Sequence, residues 1–114
     1  MTKQLFVIFS TIAIIGAFGF SKSDETKETS SFRQQKQFQN AAIHYKNYCA
    51  SCHGEKMEAF ADRKWKYGNS REAIFKSIKN GYINDGMPAF DKTFKDAEIY
   101  NLTDYILEGI KNID

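Results

Sequence analysis

Apolar side chains recur at helical spacing in three stretches of this chain, with polar loops between them. The first stretch covers residues 38–52, where Phe38, Ala41, Ala42, Tyr45, Cys49 and Cys52 fall on one face. The second follows Ser70, a good N-cap, and stops near Gly81, which suits the position just past a helix end. Ile74, Ile78 and Phe75 form its inward side. The third starts at Lys95 or Asp96, and Asp96 and Glu98 in its first turn complement the positive end of the helix dipole. Ile99, Leu102, Ile106, Ile110 and Ile113 make its stripe. No segment alternates convincingly as a strand, and no internal repeat is visible. The pattern predicts an all-α fold of three main helices.

Two further segments precede these helices. Residues 5–20 are an almost unbroken apolar run behind Lys3, short for a membrane span of about 20 residues. Ala17 and Gly19 stand two apart, as small residues do around a signal-peptidase cut. Residues 1–20 therefore read as a signal peptide, with an uncleaved membrane anchor as the alternative. Either way the protein is expected to be exported, to be periplasmic, and to be soluble or membrane-tethered. Residues 21–37 are rich in Ser, Thr, Lys, Glu and Gln, with Phe32 the only strongly apolar side chain, and read as a polar flexible linker. The folded domain is then 38–114. A unit so small buries little surface by itself and usually needs a staple.

Composition narrows the class. A chain of 114 residues is one domain's worth, and its formal charge of +2 falls to +1 once Lys3 leaves with the leader. That balance, without a basic run or an RNP-like aromatic motif, argues against a nucleic-acid partner.

The chemistry concentrates in Cys49-Ala50-Ser51-Cys52-His53. Two thiols three positions apart, followed directly by an imidazole, fit covalent attachment of a c-type haem, with each sulfur adding to a vinyl group and the histidine binding the iron. Outside the cytoplasm an unused pair of this kind tends to become a disulfide. Haem attachment would consume both cysteines of the chain, and the haem would serve as staple and core. Two other readings are weaker. Zinc usually wants four ligands, and only His44 remains to supply another. A thioredoxin-like redox pair needs a strand–helix–strand setting that the pattern lacks.

The far side of the iron has three candidates: His44, Met57 and Met87. His44 shares the first helix with the cysteines and reads as a partly exposed helix residue, and Met57 lies only four residues past His53. Met87 lies 34 residues past His53, which leaves room for a loop and a helix to pass the porphyrin edge. Gly86 would let the backbone approach closely, and Pro88, the only proline, would stiffen the segment. Trp65 is either plain core or a donor to a haem propionate, with Arg63 and Tyr67 beside it, since propionates entering a small fold must be hydrated or paired. The lysines at 46, 56, 64, 66, 79, 92 and 95 are either an ordinary solvated surface or a ring that docks an acidic partner.

These residues resemble a family. Tyr45 through Cys49-Ala50-Ser51-Cys52-His53-Gly54, Trp65-Lys66-Tyr67-Gly68, Ile78 through Gly81, Gly86-Met87-Pro88-Ala89-Phe90, Glu98-Ile99 through Leu102, and Tyr105-Ile106 are similar to bacterial mono-haem class I c-type cytochromes. The nearest flavour is the small haem domains that serve quinoprotein dehydrogenases or terminal oxidases. The resemblance implies a class I cytochrome c fold around one covalent haem c, with first and last helices crossing tightly where small Ala41 meets the Tyr105 region. It implies His53 and Met87 as axial ligands and no catalytic residue. The expected function is one-electron transfer between redox proteins: a dehydrogenase or membrane complex on one side, an acceptor such as a terminal oxidase on the other. The alternative is a haem enzyme, or a protein reactive toward peroxide or gases, whose sixth ligand is labile.

Overall fold

The structure, a computed structural model, describes residues 23–61 and 64–113; the apolar run at 5–20 and Arg63 lie outside the described residues. Five α-helices follow in order: α1 (Ser23–Tyr48), α2 (Ala50–His53), α3 (Glu58–Ala61), α4 (Arg71–Asn80) and α5 (Asp96–Lys111). A 3₁₀ turn at Ile83–Asp85 separates α4 from α5. The architecture is all-α. Pairing outside helices among the described residues is one isolated antiparallel bridge, Tyr82 to Met87. No described helix is long and apolar enough to cross a membrane.

α5 lies at the centre. Ile99, Leu102 and Thr103 are fully buried and Ile106 nearly so. Each such aliphatic side chain contributes about 1.5–3 kcal/mol by leaving water. The buried Thr103 hydroxyl donates to the Ile99 carbonyl at 2.9 Å, so no polar group is stranded there. α4 packs on α5 through Ile74, Phe75 and Ile78, the side its spacing predicts. α1 crosses α5 through Ala41 and Tyr45, each 1 % exposed. The small Ala41 permits the crossing, while Phe38 meets Tyr105 edge-on with ring centroids 5.1 Å apart. Local chemistry sets the helix starts. The Ser70 hydroxyl accepts the Ala73 N–H at 3.2 Å, and the Glu98 carboxylate reaches back to accept the Lys95 N–H at 2.9 Å. α4 and α5 begin where those residues predict.

Two sequence expectations need correction. The linker at 21–37 was expected to be flexible, but from Ser23 onward it is helix and runs unbroken into α1. Its Glu, Lys, Gln and Arg are good helix formers, no glycine or proline interrupts them, and the packed end of α1 supplies the costly nucleus. Residues 27–40 are exposed throughout, so this extension adds length and no core. The helix expected over 38–52 is divided at Cys49, where φ is −118°. That one residue turns the chain so that Ala50 enters the core and Cys52 faces solvent.

Candidate functional site

A cavity of about 410 Å³ opens between α2, α3, α4, α5 and the two loops that flank α4. Its size falls within the roughly 300–1,000 Å³ of small-molecule and cofactor sites. Ile74, Ile78, Phe90 and Ile106 give it apolar walls, and Cys49, His53, Trp65, Tyr67 and Met87 all line it. Five of the residues singled out by the motif and the loops thus converge on one space. Cys52 is exposed and is not among the lining residues, because of the turn at Cys49.

His53 ends α2, and the chain leaves it through Gly54 at φ 86°, a left-handed value that glycine adopts without strain. The buried Tyr45 hydroxyl donates to the Gly54 carbonyl at 2.9 Å and so ties the end of α2 to α1. Burial, and secondarily the nearby Cys49, pushes the Tyr45 phenol well above the usual range. The His53 ring stacks on Phe60 of α3 at 4.7 Å, and Phe60 stacks on Trp65 at 5.4 Å, with interplanar angles of 11° and 4°. Such pairs contribute about 0.5–1.5 kcal/mol beyond their burial, so α3 and the following loop steady the imidazole.

Met87 is held from both sides. Before it, the Tyr82 N–H donates to the Met87 carbonyl at 2.8 Å and the Met87 N–H returns the bond at 3.1 Å. After it, the Phe90 and Asp91 N–H groups donate to the Ile78 and Lys79 carbonyls at 3.1 and 3.2 Å, pinning the segment to the end of α4. The close backbone approach expected at Gly86 occurs instead at Gly81. A Cβ on Gly81 would lie 2.5 Å from the Pro88 carbonyl carbon and from the Ala89 nitrogen, whereas one on Gly86 would meet nothing within 4 Å. Gly86 is required for its left-handed φ of 84°, which closes the 3₁₀ turn.

The loop before α4 is fastened to this hairpin. Tyr67 lies flat on Tyr82 with centroids 3.5 Å apart, and its hydroxyl donates to Asp85 Oδ2 at 2.5 Å. Lys66 Nζ donates to the same oxygen at 2.9 Å. The Tyr67 hydroxyl first, and then Lys66, hold the Asp85 carboxyl below its usual range. Tyr67 was a candidate for propionate binding; here its hydroxyl is engaged with Asp85.

The remaining sulfur and nitrogen candidates sort themselves. Cys49 and Cys52 are not joined in a disulfide. Burial, then the neighbouring Cys52, pushes the half-buried Cys49 thiol up to about 11. Met57 is 3 % exposed and packs against Gly109 of α5, away from the cavity. His44 is half-buried beside Phe94, with Nε2 4.0 Å from Glu98. Among the described residues no group of three or more His, Cys, Asp or Glu is arranged to hold a metal ion, which leaves the zinc reading unsupported. The Cys49 thiol, the His53 imidazole and the Met87 thioether at one apolar cavity, with the Cys52 thiol exposed and off its lining, are a donor set that fits a c-type haem. Phe60, Ser77, Tyr82 and Asp85 line the cavity without standing out in the sequence. Asp85 lies in an Asn84-Asp85-Gly86 run, a residue pattern that favours a turn.

Residues 36–106, more than half of the chain, match the model of the family described as cytochrome c oxidase, cbb3-type, subunit III. No curated protein and no solved structure matches the chain.

Proposed function

The chain belongs to the family of the cbb3-type cytochrome c oxidase subunit III, a cytochrome c family of haem-based electron transfer, and on that premise we propose how its residues carry out that task. Cys49 and Cys52 would hold one haem covalently, and His53 and Met87 would ligate its iron. The observation that supports this most is that His53 and Met87, from elements on either side of α4, line the same apolar cavity with Cys49.

When bound, the haem supplies the one-electron chemistry, and the protein supplies orientation and potential. His53 is oriented by the turn at Gly54, which Tyr45 clamps, and by the stack on Phe60. Met87 is presented by the Tyr82 bridge and the backbone bonds of Phe90 and Asp91. A thioether ligand favours the ferrous state relative to a second imidazole, and the Ile74, Ile78, Phe90 and Ile106 walls disfavour the extra positive charge of ferric iron. Trp65, which lines the cavity, would donate its indole N–H to a haem propionate. Electrons pass by the Cys52 side, where the attachment motif reaches solvent. The apolar run at 5–20 supports export to the periplasm, as a cut signal or a retained anchor. The partners are redox proteins, a dehydrogenase or membrane complex as donor and a terminal oxidase as acceptor.

The test uses the full chain, exported from cells that carry the haem-attachment machinery. Its intact mass should include one haem, and the ferric protein should show the charge-transfer band of methionine-ligated iron. Met87→Ala should lose that band and keep the haem. Colourless protein with both thiols reactive refutes attachment, and a band that survives Met87→Ala refutes the ligand assignment.

A further inference from the structure

Met87 sits on a bridge that has little to hold it by itself. The Tyr82–Met87 pair is a single antiparallel bridge, and isolated two-stranded pairings are marginal in water. The turn it closes, residues 83–86, is exposed, with Ile83 79 % accessible. Segments with few buried contacts open locally at small cost.

A second element closes over it. Tyr67 covers the ring of Tyr82, the residue whose two backbone groups pair with Met87. The Tyr67 hydroxyl and the Lys66 ammonium converge on one oxygen of Asp85, inside the turn that the bridge closes. Asp85, Lys66 and Tyr67 all line the cavity and join two segments 18 residues apart, so the fastening lies where the loop and the hairpin meet at the site. We propose that Asp85, gripped by Lys66 and Tyr67, is a positioning residue that sets how often Met87 leaves the iron, and so how readily an external ligand takes the sixth position. This rests on the reading of Met87 as axial ligand. The exchange is a substitution with no change of oxidation state: the iron–sulfur bond to Met87 breaks, and a bond from the iron to the entering nitrogen forms.

The experiment is imidazole binding to the ferric, haem-loaded full chain, followed by absorbance. At high imidazole the rate levels off at the rate of Met87 departure. Asp85→Asn keeps the shape and removes the charge, and should raise that limiting rate roughly threefold to tenfold, the size expected for an exposed ion pair together with a charge-assisted hydrogen bond. Tyr67→Phe should move it the same way, and Asp85→Glu should restore part of the wild-type value. The melting temperature should change little in all three, which separates positioning from general support. If Asp85→Asn and Tyr67→Phe both keep the wild-type limiting rate while Met87→Ala has lost its charge-transfer band, the latch is refuted and the ligand assignment stands. If Met87→Ala keeps the band, the ligand assignment falls and the latch with it.

Discussion

Gly81 is where the hairpin that carries Met87 meets the end of α4 most closely, and Gly81→Ala should pull the two apart. Two costs add at this position. Its backbone lies at φ 63°, ψ −178°, a region that only glycine occupies comfortably, and holding another residue there costs about 1–3 kcal/mol. The new Cβ would also stand 2.5 Å from the Pro88 carbonyl carbon and the Ala89 nitrogen, and 2.6 Å from the Pro88 oxygen. These are backbone atoms that no rotamer change can move, so overpacking adds about 1–3 kcal/mol. The sum, about 2–6 kcal/mol, is a large part of the roughly 5–15 kcal/mol that holds a small domain together. Gly86→Ala is the internal control. It shares a positive φ of 84° but has nothing within 4 Å of its Cβ, leaving only the left-handed penalty of about 1–2 kcal/mol. Urea unfolding of the haem-loaded protein, followed by helix circular dichroism, should show Gly81→Ala losing at least about 1 kcal/mol more than Gly86→Ala. Gly81→Ala should also weaken the methionine charge-transfer band, because Pro88 directly follows Met87. Equal losses in the two variants, with the band unchanged, would refute the claim that the Gly81–Pro88 approach positions the ligand segment.

Gly109→Ala sets two effects of opposite sign against each other. Alanine gains about 1 kcal/mol in helix propensity, but its Cβ would lie within van der Waals radius of Met57 Sδ, where overpacking costs about 1–3 kcal/mol. The variant should be neutral to destabilised by about 2 kcal/mol in wild type and stabilising by about 1 kcal/mol on a Met57→Ala background. The same sign in both backgrounds would show that Met57 does not occupy that space. Tyr45→Phe removes the 2.9 Å bond to the Gly54 carbonyl and should cost about 1 kcal/mol near neutral pH. The Tyr45 pKa is raised in the fold, chiefly by burial, so its protonated form is the one the fold favours. Its contribution is therefore complete below the ordinary phenol value of about 10 and is lost as pH climbs above it through the higher folded value. Urea midpoints of wild type and Tyr45→Phe should converge as pH rises from about 8 to about 11, and a constant gap would contradict the burial argument.

Features that depend on near neighbours are readable along the chain. Ser70 and Glu98 act on N–H groups three residues away, so the starts of α4 and α5 are legible to within a residue, whereas the Ile stripe runs on to Ile113, two residues past the end of α5. The Cys49-Ala50-Ser51-Cys52-His53 run spans five consecutive residues and is visible in the chain for the same reason. The rest depends on long-range packing. The periodicity of 38–52 continues through Cys49, yet Ala50 is drawn into a core built from α4 and α5, and the helix divides there. Gly81 and Gly86 look alike in the chain, and which of them meets another backbone depends on where Pro88 folds back. Asp85 reads as a turn residue until Lys66 and Tyr67 arrive from 19 and 18 positions earlier, and Phe60 reads as filler until His53 and Trp65 stand on its two sides. Caps and spacing act through bonds a few residues long and are written locally. Which loop covers the cavity depends on residues far apart in sequence meeting only once the helices have packed.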